Sequence, residues 1–244
     1  MRCIRLVKAV LFDLYETLIT EWENKRKKAN VSVPALGLDE DLFKQEWSRR
    51  RELRMNGSYP DFKSCLRDIF HSFNQTPDEN VLEEYLKRRE ASKAKAFEEV
   101  SPDIIHMLSG IKEREIKIGL ISNCSPEEVV SWDGHELAPF FDTVLFSFQI
   151  KMAKPDPNLY KFACDRLGVS PCESIFIGDN GSDELNGAMR AGVSPFHAVW
   201  FKDHWNYCRK SEFEPLTHPS HVLEVINSGY RENKSNRIVL EDKK

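Results

Sequence analysis

Short apolar runs alternate with longer amphipathic segments through most of the chain beyond residue 100, and each short run is typical of a buried strand. With the first run at the amino end, the predicted strands cover residues 7–12, 116–121, 144–148, 174–178 and 194–201. Helices are predicted after Ser101, after Ser125, over 156–167 (closed by Gly168) and over 183–191 (closed by Gly192). Strands that alternate with helices predict an α/β fold with a doubly wound parallel sheet.

Residues 20–99 have a different pattern, which is rich in charge and contains no strand-like run. One regular helical face is formed by Phe62, Cys65, Leu66, Ile69, Phe70 and Phe73. A second helix is predicted over 80–96 and a looser one across 42–53. We therefore predict an all-helical domain at 20–99, inserted into an α/β core formed by 1–19 and 100–244, with 228–244 as a flexible tail.

Charge and composition argue against several classes of function. The 244-residue chain has a net charge of −4, which argues against a nucleic-acid partner or a membrane surface. No apolar run approaches the roughly 18 residues of a membrane-spanning helix. The six cysteines are scattered without a CxxC pair, as in proteins of a reducing compartment, so we expect a cytoplasmic location.

Polar residues suited to catalysis follow four of the predicted strands. In chain order they are Asp13, Tyr15, Thr17, Ser122, Asn123, Lys154, Asp179 and Asp183. The carboxyl ends of parallel strands lie at one edge of a sheet, where open α/β sheets bind their ligands. The pattern therefore predicts a single site that contains carboxylates, a hydroxyl, an amide and a cation.

The order and spacing of these residues resemble the motifs of the haloacid dehalogenase superfamily, most of whose members are phosphatases. The matching stretches are Asp13-Leu14-Tyr15-Glu16-Thr17, Ser122-Asn123, Lys154-Pro155 and the run 178–183. The resemblance covers 1–19 and 100–227, and segment 20–99 takes the place of that superfamily's helical cap of the first type. One such motif alone is weak evidence, but four in order, each after a predicted strand, are strong evidence.

This resemblance implies Mg²⁺-dependent hydrolysis of a small phosphorylated metabolite. Asp13 is expected to attack phosphorus and form an aspartyl-phosphate. Asp13, Asp179 and the backbone carbonyl of Tyr15 are expected to hold Mg²⁺, a hard cation that prefers oxygen ligands. Asp183 is expected to complete the metal shell through water or to orient Lys154.

The resemblance also implies which residues bind the substrate. Lys154 is expected to neutralise charge on the phosphate and on the nucleophile, and Ser122 to donate a hydrogen bond to a phosphate oxygen. Asn123 and Thr17 are expected to assist in binding. Together these groups would stabilise the charge that develops during phosphoryl transfer.

Tyr15 departs from the pattern of the phosphatases, most of which have an aspartate that acts as general acid and base at the matching place. A phenol with an ordinary pKa of about 10 is a poor substitute near neutral pH. Haloacid dehalogenases carry tyrosine there and need no metal, but their residue matching Asp179 is not acidic. The alternatives are therefore a 2-haloacid dehalogenase or a phosphate-ester-binding protein with impaired turnover, and Tyr15 either moves protons or only packs beneath the cap.

Other residues with chemical potential have simpler interpretations. A zinc site among His197, His204, Cys208, His218 and His221 is a weaker hypothesis because their spacing is irregular. Cys124 is expected to fill space, since no histidine partner is evident. The basic runs 25–28 and 49–51 are expected to form solvated helix faces, with one cap arginine available to contact an anionic substrate.

Overall fold

The computed structural model describes residues 6–204, 211–228, 231–232 and 238–239. Its strands are β1 (Ala9–Phe12), β2 (Trp22–Glu23), β3 (Arg26–Lys27), β4 (Lys117–Ser122), β5 (Thr143–Phe146), β6 (Ser174–Gly178), β7 (Ser194–Ala198), β8 (Pro215–Leu216), β9 (Arg231–Glu232) and β10 (Ile238–Val239). Six of them form one parallel sheet in the order β5-β4-β1-β6-β7-β8. The chain winds outwards from β1 in both directions, so the predicted doubly wound α/β fold is confirmed.

Strand β1 lies at the centre of this sheet, and all four of its residues are buried. Its register places Phe12 beside Leu120 of β4 and beside Ile177 of β6. The amide of Asp13 continues this pairing and donates a hydrogen bond to the Ile177 carbonyl at 2.9 Å. The residues that follow β1, β4 and β6 therefore meet at one edge, as expected for parallel strands.

Helices cover both faces of the sheet and hold β1 between them. They are α1 (Glu40–Arg49), α2 (Arg51–Met55), α3 (Phe62–Ser72), α4 (Glu79–Ala94), α5 (Pro102–Lys112), α6 (Ser147–Ile150), α7 (Pro157–Leu167), α8 (Glu184–Ala191) and α9 (His221–Ser228). Because side chains alternate along a strand, Leu11 packs with α7 and α8, whereas Val10 and Phe12 pack with α5 and α9. Gly168 and Gly192 end α7 and α8 in the left-handed conformation, as predicted.

Helices α1–α4 form a cap with its own apolar core. Phe43 of α1, Phe62 and Leu66 of α3 and Leu82 of α4 are buried together. The helices predicted over 62–73 and 80–96 are confirmed as α3 and α4. Aspartates at the amino ends of α1, α3 and α4 accept hydrogen bonds from backbone amides, which explains where these helices begin.

Charged side chains join the cap to the core. This interface cluster consists of Glu21, Arg54, Arg89, Lys93, Glu127 and Glu128. Arg89 of α4 binds Glu127 and Glu128 at 2.9 Å each. Lys93 binds Glu128 at 2.9 Å and Glu21 at 3.0 Å. Burial alone would raise the pKa of Glu128, but Lys93 and Arg89 outweigh burial and lower that pKa well below its ordinary value.

Several segments differ from the predicted pattern. Residues 22–27 form a hairpin of β2 and β3, although no strand was expected there. Asn24 and Lys25 have φ angles of 48° and 64°, as a two-residue turn of type I′ requires, so the basic run 25–28 does not lie on a helix. The segment after Ser125 is one 3₁₀ turn rather than a helix, because Glu127 and Glu128 turn towards the cap cations.

Two predicted strands end earlier than their sequence pattern indicates. Strand β5 ends at Phe146, where α6 begins, and β7 ends at Ala198. Within the described part of the chain, the helices are too short or too polar to cross a bilayer.

Candidate active site

A cavity of about 250 Å³ opens at the carboxyl edge of the sheet, between the core, the hairpin and the cap. From the core it is lined by Asp13, Tyr15, Glu16, Ser122, Asn123, Lys154, Asp179, Gly181, Ser182 and Glu184. The hairpin and the cap contribute Glu21, Trp22, Lys27 and Arg51. Most of the residues predicted from the strand ends therefore line one cavity, whereas Thr17 and Asp183 do not.

Lys154 lies at the floor of this cavity between two carboxylates. Its Nζ contacts Oδ1 of Asp13 and, at 2.5 Å, Oε2 of Glu184. Burial would lower the pKa of Lys154, but Asp13 and Glu184 outweigh burial and raise it, so the ammonium stays charged. The predicted contact between Lys154 and the nucleophile is thus present in the structure.

Three buried carboxylates converge around this lysine: Asp13, Asp179 and Glu184. One oxygen atom from each lies within 4.8 Å of the others. An all-oxygen, anionic donor set of this kind fits a hard divalent cation such as Mg²⁺. Asp13, Lys154, Asp179 and Glu184 are called the active-site cluster below.

Glu184 was not predicted, and the local backbone explains how it reaches the site. It is the first residue of α8, and its Oε1 accepts a hydrogen bond from the Asn180 amide at 3.0 Å. A Cβ at Gly178 would lie 2.2 Å from that oxygen, so only glycine leaves room for the carboxylate. Burial and the nearby Asp13 raise the pKa of Glu184.

One sequence signal could have identified Glu184. It lies four and seven residues before Ala188 and Ala191, which are both buried, so it falls on the buried face of α8. The structure places the predicted Asp183 outside the carboxylate group, because its side chain is exposed. Asp183 accepts a hydrogen bond from Asn186 at 2.6 Å instead.

Asn123 positions Lys154 through its backbone. The Asn123 side chain accepts from the Lys154 amide at 2.8 Å and donates to the Lys154 carbonyl at 2.9 Å. Both hydrogen-bonding ends of the amide are therefore engaged within the protein. Ser122 is buried and lines the cavity. Thr17 donates to Oδ2 of Asp13 at 3.3 Å and so helps to orient that carboxylate.

Tyr15 lines the cavity, but its hydroxyl is directed elsewhere. That hydroxyl donates to the backbone carbonyl of Glu128 at 2.5 Å. The ring packs edge-on against Phe97, and the Lys93 ammonium lies 4.9 Å from the ring centre. Burial, reinforced by Glu128, raises the pKa of Tyr15 well above its ordinary value, so the phenol stays protonated. A metal-binding role for its backbone carbonyl stays a prediction.

Glu16 is a second lining residue that sequence reasoning did not select. It has a left-handed φ of 59°, and its carboxylate accepts from the Thr20 hydroxyl at 2.5 Å and from the Glu21 amide at 3.0 Å. Burial raises the pKa of Glu16 to about 7. These bonds fasten the start of the hairpin to the edge of the cavity.

In the part of it that the structure describes, the histidine-rich segment forms no comparable site. Among residues 6–204 and 211–228, the three carboxylates are the only group of His, Cys, Asp or Glu side chains placed to share an ion. His197 is buried in β7, and the rings of His218 and His221 are 6.1 Å apart. Cys208 lies outside the described residues. The zinc hypothesis is therefore unsupported wherever the structure describes the segment.

Comparisons with known proteins agree with this geometry. The haloacid dehalogenase-like hydrolase family matches residues 7–192. The chain is 30% identical over 230 residues to (S)-2-haloacid dehalogenase 4A of Burkholderia cepacia, covering 90% of this chain and 93% of that relative. It is also 30% identical over 198 residues to glyceraldehyde 3-phosphate phosphatase of Methanopyrus kandleri, covering 77% of this chain and 82% of that one.

The solved structures show the same fold. The crystal structure of 2-haloacid dehalogenase from Pseudomonas syringae pv. Tomato superimposes with a TM-score of 0.64 at 20% identity, covering 91% of this chain and 99% of that one. The two curated relatives bear names of different reactions, one on haloacids and one on a phosphate ester. The family match, the relatives and the converging strand ends together show that this chain belongs to the haloacid dehalogenase-like hydrolases.

Proposed function

We propose that this hydrolase is a Mg²⁺-dependent phosphatase that acts on a small phosphorylated metabolite through Asp13. The observation that carries the proposal is the charge of the active-site cluster, which sets three carboxylates against one ammonium. With all four groups ionised, the excess is two negative charges, which one divalent cation would balance. An anionic nucleophile could then approach an anionic phosphate without strong repulsion.

Asp13, Asp179 and Glu184 are the residues that would hold Mg²⁺, which when bound offsets negative charge on the phosphate. A carboxylate oxygen of Asp13 forms a bond to phosphorus while the bond from phosphorus to the ester oxygen breaks, and the departing alkoxide takes a proton from solvent. Water then adds to phosphorus, its proton leaves to solvent, and the bond to Asp13 breaks to release phosphate. Lys154 keeps the carboxylate of Asp13 oriented throughout.

Tyr15 takes no part in these proton transfers, because its hydroxyl is bound to the Glu128 carbonyl and its pKa is raised. A general acid and base commonly contributes about 10²–10⁴-fold to rate. We therefore expect a slower second step than in phosphatases with a carboxylate at this place. The name of the Methanopyrus relative, a phosphatase, supports the phosphate-ester reaction.

A 2-haloacid dehalogenase is the second candidate, favoured by Tyr15 itself and by the name of the Burkholderia relative. In that reaction a carboxylate oxygen of Asp13 would displace halide from carbon. Asp179 and Glu184 weigh against it, since halide displacement needs no metal site and burying unused carboxylates is unfavourable.

One assay separates these candidates. Phosphate and halide release are measured with the purified protein on a panel of phosphate esters and on 2-chloropropionate, with Mg²⁺ and with EDTA. We expect Mg²⁺-dependent phosphate release, lost in Asp13→Asn and reduced about 10²–10³-fold in Asp179→Asn, the scale of losing one electrostatic group at a transition state. Asp183→Asn, which removes an exposed carboxylate four residues beyond Asp179, is the matched control and keeps its activity.

The other outcomes are equally decisive. Halide release that persists in EDTA would establish the dehalogenase. Binding of phosphate esters without release of either product would indicate a catalytically impaired protein. Equal losses in Asp179→Asn and Asp183→Asn would show that Asp183, although its side chain is exposed, also serves the reaction, as the sequence predicts.

We also infer a cytoplasmic location. Cys65, Cys124 and Cys164 are free thiols, and all three are buried. Unpaired cysteines are usual where thiols are kept reduced.

A further inference from the structure

The three consecutive arginines at 49–51 have different surroundings. Arg49 and Arg50 bind Glu46 within the cap, at 2.8 Å and 2.5 Å. Arg51 extends instead towards the core, where its Nη2 donates to the hydroxyl of Ser182 at 2.7 Å. It is the member of this run that lines the active-site cavity.

Among the residues that the structure describes, Arg51 is the cation of the cavity without an anionic partner. Lys154 lies between two carboxylates of the active-site cluster. Lys27 pairs with Glu21 at 3.4 Å and lies 5.5 Å from the centre of the Trp22 ring. Within the described part of the chain, Arg51 has no ion pair, and its hydrogen-bond partner is the neutral hydroxyl of Ser182.

The loop that carries Ser182 is conformationally strained. Asn180, Ser182 and Asp183 have φ angles of 66°, 57° and 56°, in the left-handed region that residues other than glycine avoid. The same loop begins at Asp179, whose carboxylate accepts from the Gly181 amide at 2.8 Å. Arg51 therefore forms a hydrogen bond to a loop that begins at Asp179 of the active-site cluster. The backbone of that loop has an unfavourable conformation.

We propose that Arg51 is the specificity-determining residue of the cap and binds a second anionic group of the substrate, a carboxylate or a second phosphate. This inference rests on the proposed phosphatase function, since Asp13 must act on the first phosphate. A guanidinium presents a planar pair of donors that matches a carboxylate or a phosphate, so it binds such a group better than a serine hydroxyl. The cavity of about 250 Å³ restricts the substrate to a small molecule.

A matched pair of substrates tests the proposal. Glycerol 3-phosphate and 3-phosphoglycerate differ in a terminal hydroxymethyl group against a carboxylate. Wild-type protein is expected to have the higher kcat/KM for 3-phosphoglycerate, mainly through KM. Arg51→Gln should reduce that preference about tenfold to a hundredfold, the usual worth of a hydrogen bond to a charged group, with little change for glycerol 3-phosphate.

Two further variants separate anion binding from a purely structural contact. Arg49→Gln removes an exposed arginine two residues away and should leave the preference unchanged. Ser182→Ala removes the hydroxyl contact but keeps the guanidinium, so it should retain the preference for the carboxylated substrate. If Ser182→Ala and Arg51→Gln instead slow both substrates equally, Arg51 only fastens the cap and the proposal is wrong.

A third substrate distinguishes the two kinds of anion. Propane-1,3-diol bisphosphate carries a second phosphate in place of the carboxylate, and the larger loss in Arg51→Gln identifies the preferred group. Binding of the same three compounds to Asp13→Asn, measured by calorimetry, does not depend on turnover. A preference there that Arg51→Gln removes supports the proposal even if the wild-type protein hydrolyses none of them, whereas equal affinity for all three overturns it.

Discussion

The two buried charge clusters of this protein differ in how well their charges balance. The interface cluster sets Arg54, Arg89 and Lys93 against Glu21, Glu127 and Glu128, three positive groups against three negative ones. Arg89 and Lys93 form the ion pairs, and Arg54 acts on Glu128 and Glu127 only through its charge. The active-site cluster sets one ammonium against three carboxylates. Both clusters are shielded from solvent, where an unpaired charge is costly.

The pKa directions of the two buried glutamates reflect this difference. Lys93 and Arg89 overcome the effect of burial and lower the pKa of Glu128, which stays ionised. Burial and Asp13 raise the pKa of Glu184, despite its contact with Lys154. The balanced cluster has its counter-charges within the protein. The carboxylate-rich one has an excess of negative charge, which on the proposed function a cation from outside would offset. The imbalance is therefore a stronger indication of function than burial alone.

Removing a cation from the interface cluster should have the largest effect on stability. Arg89→Gln leaves Glu127 and Glu128 without their shared partner, and we expect a loss of about 3 kcal/mol in the free energy of unfolding. This is the lower end of the range for a buried pair, because the Arg89 side chain is still 19% exposed. Urea denaturation measures it. Arg88→Gln, next to it on the exposed side of α4, is the control and should change the midpoint little.

An unchanged urea midpoint in Arg89→Gln would mean that the interface cluster does not hold the cap to the core. The interface cluster would then differ from the active-site cluster in charge balance, but it would have no measurable effect on stability.

Mg²⁺ should stabilise the protein through the active-site cluster alone. At a free concentration one hundred times Kd, binding to the native state adds about 2.7 kcal/mol to the free energy of unfolding. In Glu184→Gln one carboxylate is lost, and we expect most of this stabilisation to disappear. Thermal denaturation with and without Mg²⁺ gives the comparison, and equal stabilisation of wild type and Glu184→Gln would contradict the assignment of Glu184 to the metal group.

Tyr15 lies between the two clusters, and its substitution should have the smallest effect. Tyr15→Phe removes the hydrogen bond to the Glu128 carbonyl, which is worth about 1 kcal/mol of stability. In the proposed mechanism the phenol takes no part in proton transfer, so kcat at neutral pH should not change. A large fall in kcat with unchanged stability would restore a catalytic role for Tyr15.

The strands and the position of Asp13 were predictable because they depend on local pattern. A buried apolar run followed by Asp13, and three further runs followed by polar residues, required only that parallel strands end at one edge. The cap helix α3 was equally predictable, since it carries a regular apolar face, and α4 was predictable from the apolar residues of its first half. The looser pattern across 42–53 predicted one helix, where the structure has two, α1 and α2. The hairpin at 22–27 was not predictable, because its strands are two residues long and have no alternating pattern.

The amino-acid sequence by itself determined the parallel sheet, the inserted helices and the positions of Asp13, Lys154 and Asp179. Only the tertiary structure showed that Glu184, and not its neighbour Asp183, lies in the buried carboxylate group, and that Arg51 is the arginine of 49–51 that lines the cavity. Neighbouring residues on a helix point roughly 100° apart, so a shift of one position directs a different side chain to the site. Where α8 begins depends on a strained loop, and where Arg51 extends depends on how the cap meets the core. Both depend on contacts between residues far apart in the chain, which a local sequence pattern does not predict.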